Sequence, residues 1–491
     1  MRFYPYSNNH GHFINRVQEW QYLTNLEKTP QAKILIVYGR RRVGKTELLE
    51  QFFKNRNLIK FEGIEKASVE RQRQEMANKM AYYFEDPSLK DKQYENWIEI
   101  LSSISEHIGQ TGKITLYFEE VQWLADYQHE FIAELKYVWD NYFRYNKDLI
   151  LILCGSSPSF MKNSVANSRA LYNRSQYELP IEEFSLPEAC RILCAFPKLD
   201  VLDLYLTIGG IPDYLLRFIG ASSLKSALAG YTFSKGSFFS TEYHRLFVSS
   251  LNDNPLYQKI IEYIAKQRFT SLSALIQSTK SSKESLMRLV EELELCGFIE
   301  SYIPIDKKIH TLQKRYCIKD HYINYYNNFV LPRIHDIEQI KLSSPLDSLS
   351  FLQTNHYQQW CGYQFERFCR RNHRIIAKLM GFSGIDYKAG SYFRHSWNKE
   401  FKQVRGYQLD LLFKRPDKIW VICEIKYSDI PVDGRIIDEF NAKILKIPHI
   451  HKKHILKVLI SKVRPVDSVF HGSYFDKIIL AEDLLEEYLW K

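Results

Sequence analysis

The stretch KILIVYGRRRVGKTELLEQFF, residues 33–53, decides the fold of the first half of the chain. Its first part, KILIVYG, has the apolar, β-branched composition of a buried strand, and TELLEQFF has helical periodicity. Between them, Gly39 to Thr46 follow the pattern GxxxxGK[ST]. A strand, a glycine loop and a helix in this order predict a phosphate-binding loop. The alternative interpretation is a glycine turn beside a solvated basic run.

The residue types in this loop suit a nucleoside triphosphate. Gly39 and Gly44 let backbone N–H groups curl around phosphate oxygens, and the helix N-terminus adds the positive end of its dipole. We expect Lys45 to reach the β- and γ-phosphates and the Thr46 hydroxyl to ligate Mg²⁺. Arg42, in the same loop, is a further predicted nucleotide contact. The predicted cofactors are therefore ATP and Mg²⁺.

Two later strands end in the polar groups that a nucleoside triphosphatase needs. The segment KITLYFEE ends in Glu119 and Glu120. We expect Glu119 to hold the Mg²⁺ shell and Glu120 to orient or activate the attacking water. The segment DLILILCGSS ends in Ser156 and Ser157, which are placed to sense the γ-phosphate. A solvated acidic pair at a strand end is the alternative, and the loop upstream favours function.

Composition bounds the class of protein. The 491 residues allow several domains, and 45% hydrophobic with 25% charged residues is typical of a globular protein. The net charge of +10 favours a polyanionic partner such as nucleic acid without requiring one. The eight cysteines form no CxxC pair or zinc spacing and predict core thiols in a reducing compartment. With neither a signal-peptide core nor a run of about 20 apolar residues, we expect a cytoplasmic protein without a membrane partner.

The order of segments predicts an α/β fold with further domains. Strands alternate with helices as far as about Pro180, which implies a parallel sheet, and only helices follow, as in a lid. Next come three helices and a hairpin in the order of a winged helix-turn-helix, then a polar linker and a second α/β region. We predict an ATPase core at 1–180, a helical lid at 181–250, a winged helix at 251–335, a linker at 336–350 and a final domain at 351–491.

The winged-helix block has a recognition-type helix within SKESLMRLVEELELCGFIE. An apolar stripe that includes Leu286, Leu289 and Leu293 predicts its buried face. Its exposed face mixes lysine and arginine with several glutamates, whereas a helix that reads DNA usually has a cleaner basic face. Contact with DNA and a structural or regulatory connection therefore both stay open.

A second hairpin, GYQLDLLFKRPDKIWVICEIKYS at 406–428, carries acids inside two apolar strands. If its turn is centred near Asp417, Asp410 and Glu424 stand opposite each other, roughly 5 Å apart. Two half-buried carboxylates repel unless a cation neutralises them, and hard oxygen ligands suit Mg²⁺ or Mn²⁺. Lys426 shares the face of Glu424, where it could position water or stabilise charge during metal-activated attack on a phosphodiester. The alternative is an ion-pair network that only closes the sheet.

Two neighbours of these acids have less specific roles. Gln408 lies on the strand face of Asp410 and could line the same pocket. Tyr427 lies on the opposite face from Glu424 and Lys426, which predicts a packing role.

The N-terminal half resembles the prokaryotic, archaeal-type ATPases of the AAA+-related STAND group. The matching segments are FINRVQEWQYL, GRRRVGKT, FEEVQWL, CGSSPSFM, ALYNRSQYELP and GGIPDYL, within residues 10–245. The family usually has Asp then Glu in its second motif, so Glu119 is a departure that bears on hydrolysis rate more than on binding. The resemblance implies that Arg174 approaches the γ-phosphate in cis or in trans, with a surface arginine as the alternative. It also implies a winged helix after the lid.

The C-terminal region resembles the PD-(D/E)XK nuclease superfamily over about residues 355–465. The motif that supports this resemblance is a first acid, a hairpin turn and ExK, and its residues here are Asp410, Glu424 and Lys426. The superfamily often adds a glutamate from a preceding helix, and YQFERFCRR offers Glu366. Domains of this type follow the ATPase and winged helix in the same family, and in some relatives the catalytic residues have eroded.

These inferences lead to two hypotheses of different class. The first is an ATP-binding, ATP-hydrolysing module that controls a C-terminal metal-dependent DNase. The second is a nucleotide-dependent switch or scaffold that binds DNA or a protein partner and cleaves nothing. DNA is the expected partner under the first, and self-association stays open under both.

Overall fold

The computed structural model describes residues 15–109, 112–171, 174–251, 254–305, 314–339, 349–398 and 403–490. Three sheets organise these residues, and helices cover them.

The first sheet is parallel throughout and has the strand order β2-β3-β4-β1-β5. β3 and β4 are buried at every position, as expected where helices cover both faces of a sheet. This arrangement confirms the predicted α/β class with a parallel sheet. The strands are β1 (Lys33–Tyr38), β2 (Asn57–Glu62), β3 (Ile114–Glu119), β4 (Ile150–Gly155) and β5 (Ser175–Pro180).

Helices surround this sheet and continue beyond it, and in the described part of the chain no further strand follows β5 before residue 270. Those within the first sheet region are α1 (Val17–Glu27), α2 (Lys45–Phe53), α3 (Val69–Tyr83), α4 (Trp97–Ile108), α5 (Val121–Leu124), α6 (Glu130–Asn141) and α7 (Pro158–Phe160). Those that follow it are α8 (Leu186–Ile192), α9 (Lys198–Ile208), α10 (Pro212–Leu216), α11 (Leu224–Thr232) and α12 (Phe238–Ser250).

A small antiparallel sheet of order β6-β8-β7 follows. Its strands are β6 (Thr270–Ser271), β7 (Ile299–Tyr302) and β8 (Arg315–Ile318), and its helices are α13 (Leu256–Ala265), α14 (Leu272–Thr279) and α15 (Lys283–Leu295). The predicted apolar stripe of α15 is buried, since Leu286, Leu289 and Leu293 are at most 1% exposed. The name winged helix stays a prediction. Two short helices, α16 (His321–Tyr325) and α17 (Ile334–Gln339), lead out of this region.

The third sheet is mixed and has the order β13-β12-β11-β10-β9. β9 to β11 pair antiparallel, and β11 to β13 pair parallel. Its strands are β9 (Lys388–Asn398), β10 (Gln403–Lys414), β11 (Ile419–Lys426), β12 (His454–Ser461) and β13 (Lys477–Leu480). Its helices are α18 (Asn355–Arg371), α19 (His373–Leu379), α20 (Arg435–Leu445) and α21 (Asp467–Phe470).

One apolar core joins the helical region to the C-terminal sheet. It runs from Leu35 and Leu202 through Tyr322 to Phe365 and Cys423. The C-terminal sheet therefore packs against the helices that follow β5 and shares their core. The predicted domain boundaries stay predictions, and most of the predicted linker, 340–348, lies outside the described residues.

Candidate functional site

The loop between β1 and α2 has the backbone that a phosphate cradle needs. Gly44 begins α2 with φ +86°, a left-handed conformation that side chains with a Cβ rarely adopt. At Gly39, an added Cβ would lie 2.2 Å from the carbonyl oxygen of Ile181, so only glycine fits there. Both glycines of the motif are thus required by local geometry.

Lys45 is folded back onto its own loop. Its side chain is buried, and its Nζ donates to the carbonyl oxygens of Gly39 at 2.8 Å and Arg40 at 3.1 Å. The ammonium is therefore held at the loop by carbonyl oxygens, which a bound phosphate would replace as its partners.

Thr46 and Glu119 meet at the end of β3, as the sequence predicts. The Thr46 hydroxyl donates to Glu119 Oε1, and the Tyr117 hydroxyl donates to the same oxygen at 2.9 Å. Lys60, from the neighbouring strand β2, pairs with Glu119 Oε2. Although burial opposes it, hydrogen bonds from Lys60 and Thr46 lower the pKa of Glu119. Lys60 is a partner that the sequence analysis missed.

Glu120 and Ser156 also come together. Glu120 Oε2 accepts from the Ser156 amide at 3.0 Å, from its hydroxyl at 2.7 Å and from Gln122 Nε2 at 2.6 Å. The second acid is therefore held by the end of β4, one strand away from β3. This contact follows from parallel neighbours whose carboxyl ends share an edge of the sheet.

Arg42 departs from its predicted role as a phosphate contact. Its guanidinium pairs with Asp213 at 2.8 Å and with Glu242 at 2.7 Å. Glu242 is fully buried, so its charge requires a partner, and Arg42 supplies it. Arg42 consequently ties the loop to α10 and α12.

Arg174 lies at the other end of the sheet. Its neighbour Ser175 pairs with Ile34, at the start of β1, whereas the loop follows the end of β1, ~13 Å further along the strand. The Arg174 guanidinium forms two hydrogen bonds with Asp140, at 2.7 and 2.9 Å. An approach to the γ-phosphate within the same chain is therefore not seen, and an approach from a second copy stays a prediction.

The C-terminal hairpin has the predicted register. Leu411 pairs with Cys423 and Leu412 with Ile422, so continuing the ladder by one residue places Asp410 opposite Glu424. Asp410 Oδ2 accepts the amide of Ile425 at 3.2 Å. Both acids are buried, Glu424 to within 1% exposure.

Glu366, on α18, joins these two acids electrostatically. Burial, together with Glu366 and Glu424, raises the pKa of Asp410 to about 7. Burial also raises the pKa of Glu366, with Arg370 acting in the opposite direction. Three carboxylates from a helix and two strands thus share one region in which their charges are only partly compensated.

Lys443 is the member of this region that the sequence analysis missed. It projects from α20 and donates to both oxygens of Glu424, at 2.6 and 2.8 Å. Lys426 lies further away, at 3.3 Å from Glu424 and 3.6 Å from Glu439. The available signal was the helix RIIDEFNAKIL between two strands, in which Glu439 and Lys443 share a face at i,i+4 spacing.

The donor sets of both regions fit a hard divalent cation in part. In the described ranges, no three histidine, cysteine, aspartate or glutamate side chains are grouped so that they could hold a metal ion by themselves. Mg²⁺ usually keeps several waters and takes only one or two carboxylates; Asp410 and Glu424 could supply two, and Glu119 could supply one beside the Thr46 hydroxyl. Ammonium groups already lie on Glu119 and Glu424, which marks both as places that attract a cation.

The remaining predicted neighbours of the hairpin have defined surroundings. Gln408 and Glu366 line one cavity, whose wall does not include Asp410, so the predicted place of Gln408 beside Asp410 stays a prediction. Tyr427 packs on Phe365 with ring centroids 4.5 Å apart, in agreement with its predicted packing role. Its hydroxyl also donates to Asp203 of α9 at 2.5 Å, and Lys462 pairs with the same carboxylate at 2.9 Å. The helical region therefore contacts the residue next to Lys426.

Comparison with known proteins finds a family similar to the first part of the chain. Residues 13–218 match the family described as an ATPase domain predominantly from Archaea. This part of the chain is similar to archaeal ATPase domains, in agreement with its phosphate-binding loop and parallel sheet. Within the described residues, no helix combines the length and the apolar character required to cross a membrane.

Two proteins of Methanocaldococcus jannaschii are similar in sequence. An uncharacterized protein, MJECL04, is 24% identical over 434 residues, which cover 85% of this chain and 88% of that protein. An uncharacterized ATP-binding protein, MJ0423, is 41% identical over 46 residues, which cover 9% of this chain and 78% of that protein.

Solved structures show similarity at low identity and low TM-score. The Walker-type ATPase paby2304 of Pyrococcus abyssi is 18% identical with a TM-score of 0.45, covering 64% of this chain and 95% of its own. The ORC2 protein of Aeropyrum pernix is 12% identical with a TM-score of 0.40, covering 66% and 94%.

Proposed function

We propose that this protein binds and hydrolyses ATP in its first half and thereby controls a metal-dependent DNase in its C-terminal region. The observation that carries the nuclease is the meeting of Glu366, Asp410 and Glu424 beside Lys426. Three acids in one buried region cost free energy unless bound cations compensate their charges. Metal-assisted phosphodiester hydrolysis requires such a cation-binding group of acids.

At the nucleotide site, each residue has a separate task. Lys45 exchanges its two carbonyl partners for phosphate oxygens, while Thr46 and Glu119 hold Mg²⁺, which neutralises charge on the phosphates. Glu120, held by Ser156, orients the water that attacks the γ-phosphate. Lys60 balances Glu119, whose longer side chain replaces the more usual aspartate.

At the C-terminal site, Asp410 and Glu424 would hold Mg²⁺ or Mn²⁺, which when bound would supply water activation and charge stabilisation. Lys426 stabilises the negative charge that develops on the scissile phosphate, and Glu366 accepts a proton from the attacking water. In the reaction, the oxygen of water joins phosphorus, one P–O bond to the strand breaks, and the released strand end takes up a proton.

Coupling between the two sites runs through the helical region. Arg42 links the phosphate loop to Asp213 and Glu242, so occupation of the loop bears on the position of α10 and α12. In the same helical region, Asp203 holds Tyr427, the residue after Lys426. A nucleotide-driven shift of these helices would therefore alter the C-terminal site or the access of DNA to it.

A cleavage assay tests the proposal. The full chain is incubated with plasmid and with single-stranded DNA, with Mg²⁺ or Mn²⁺, with and without ATP. We expect Lys426→Ala to lower the cleavage rate by about a hundredfold or more. Lys45→Ala should retain metal-dependent cleavage and lose its response to ATP. Lys477→Ala, at an exposed position of β13, is the matched control and should behave as the parent chain.

A second candidate function has its own supporting observation. Because Lys443 already neutralises Glu424, the acids could form an ion-pair network in a nucleotide-dependent switch that cleaves nothing. Absence of cleavage under every metal and nucleotide condition, with ATP hydrolysis intact, would favour this candidate over the nuclease.

A further inference from the structure

A polar cavity of about 210 Å³ lies beside the three acids, between β7, the end of α18 and the paired strands β9 and β10. Glu366 and Gln408 belong to its wall, so it opens next to the proposed cleavage site. The backbone joins its two sides, since the amide of Ile305 donates to the carbonyl oxygen of Ser391 at 3.1 Å. The cavity is therefore built into the junction between the small sheet and the C-terminal sheet.

The wall of this cavity is strongly cationic. It contains four arginines against two glutamates, which leaves an excess of two positive charges; they are Arg268, Arg367, Arg370, Arg371, Glu300 and Glu366. Arg371 is committed to Glu300 through three hydrogen bonds of 2.9 to 3.0 Å. Among the described parts of the chain, Arg370 contacts the Asp410 carbonyl oxygen at 3.4 Å and Glu366 at 3.7 Å, both long distances. Its guanidinium has donors to spare for an anion.

Ser391 is a second, independent pointer to a ligand. Its side chain is 2% exposed and lines the cavity, and its Oγ has no hydrogen-bond partner among the residues that the structure describes. A buried hydroxyl without a partner is costly, so a group that hydrogen-bonds it is expected. Aromatic rings complete the wall: the Arg268 guanidinium lies 3.5 Å from the centroid of the Tyr363 ring, and Tyr302 is a further neighbour.

We propose that this cavity binds a phosphate group of a nucleotide, and that the nucleotide belongs to the DNA strand presented to the adjacent acids. Arginine forks match phosphate oxygens in pairs, the Ser391 hydroxyl supplies a further donor, and the aromatic rings offer a surface for a sugar or base. The assignment of the ligand to a strand rests on the proposed nuclease, whereas phosphate binding itself does not. A free nucleotide presents the same chemistry, and the experiment separates the two sources.

The test measures binding without cleavage, on the full chain in EDTA and without ATP. A fluorescent single-stranded DNA 12-mer is titrated against the parent protein, Arg268→Met and Ser391→Ala. Arg374→Met, at an exposed position of α19, is the charge-matched control. Deoxyadenosine monophosphate and inorganic phosphate serve as competitors.

We expect Arg268→Met to weaken strand binding about tenfold, as one charge-assisted contact would, and to reduce the salt dependence of binding by about one phosphate. Ser391→Ala should weaken binding severalfold without lowering the melting temperature, since it removes only an unpartnered hydroxyl. Arg374→Met should change affinity less than twofold. Strand binding that excess deoxyadenosine monophosphate does not displace would assign the site to the strand, and full displacement would assign it to a free nucleotide.

Unchanged affinity in both cavity variants, for the strand and for the competitors, would overturn the inference. This failure is distinct from that of the nuclease. If the protein cleaves DNA but all variants bind it equally well, the proposed nuclease is supported and the proposed phosphate site is refuted. If the cavity variants bind DNA more weakly but no cleavage is seen, the phosphate site is supported and the nuclease is refuted.

Discussion

Lys443→Met separates a metal site from a closed ion-pair network at the C-terminal acids. The change keeps most of the apolar stem of the side chain and removes the ammonium that donates to both oxygens of Glu424. Glu424 is only 1% exposed, so its charge then depends on Lys426 at 3.3 Å.

The magnitude follows from this geometry. Removing one partner of a buried ion pair typically destabilises a protein by 3–5 kcal/mol, because the other charge stays buried. Lys443 is 28% exposed on its side chain and Lys426 remains, so we expect a smaller loss of about 2–3 kcal/mol. If the C-terminal region, residues 351–491, unfolds as one unit, that loss lowers its melting temperature by about 5–10 °C.

The assay is thermal unfolding of the full chain without nucleotide, with and without Mg²⁺ or Mn²⁺. If Asp410 and Glu424 hold a metal, removal of the competing ammonium strengthens metal binding, and the metal should stabilise Lys443→Met more than the parent chain. Asp410→Asn should lose the metal-dependent rise in melting temperature, and this loss would place the metal at Asp410 and Glu424. Lys477→Met should melt as the parent chain does.

Two results would refute this reasoning. A melting temperature of Lys443→Met equal to that of Lys477→Met would show that the contact with Glu424 contributes nothing to stability. Destabilisation without any metal-dependent shift in parent or variant would show that the acids form an ion-pair network and do not bind metal.

Three further predictions concern other contacts. Glu120→Gln should retain nucleotide binding and lower ATP turnover about a hundredfold, measured as phosphate release beside binding of a fluorescent ATP analogue; unchanged turnover would remove Glu120 from the chemistry. Tyr427→Phe deletes the hydrogen bond to Asp203 and should shrink the effect of ATP on DNA cleavage while basal cleavage persists, and an unchanged ratio would contradict the coupling route. Arg371 lowers the pKa of Glu300 to about 2 against the effect of burial, so the stabilisation is present above the ordinary pKa of about 4.5 and is lost as pH falls towards 2. Over that window the free energy of unfolding should fall by up to about 3 kcal/mol in the parent chain and stay flatter in Glu300→Gln, as followed by denaturant unfolding.

Sequence patterning determined the local structure of this protein. The glycines and Lys45 of the phosphate loop, the strand ends at Glu119 and Glu120, and the hairpin that aligns Asp410 with Glu424 all depend on neighbours within a few residues or on strand periodicity. Such features are readable because backbone geometry fixes them over short separations.

Tertiary structure decided which charges meet. Arg42 pairs with Glu242 across 200 residues, and no local pattern in the loop indicates this partner. Lys443 reaches Glu424 only because α20 packs across the sheet between β11 and β12. A buried charge takes the partner that the packed elements bring to it, and the identity of that partner depends on topology over distances that a pattern of neighbouring residues does not encode.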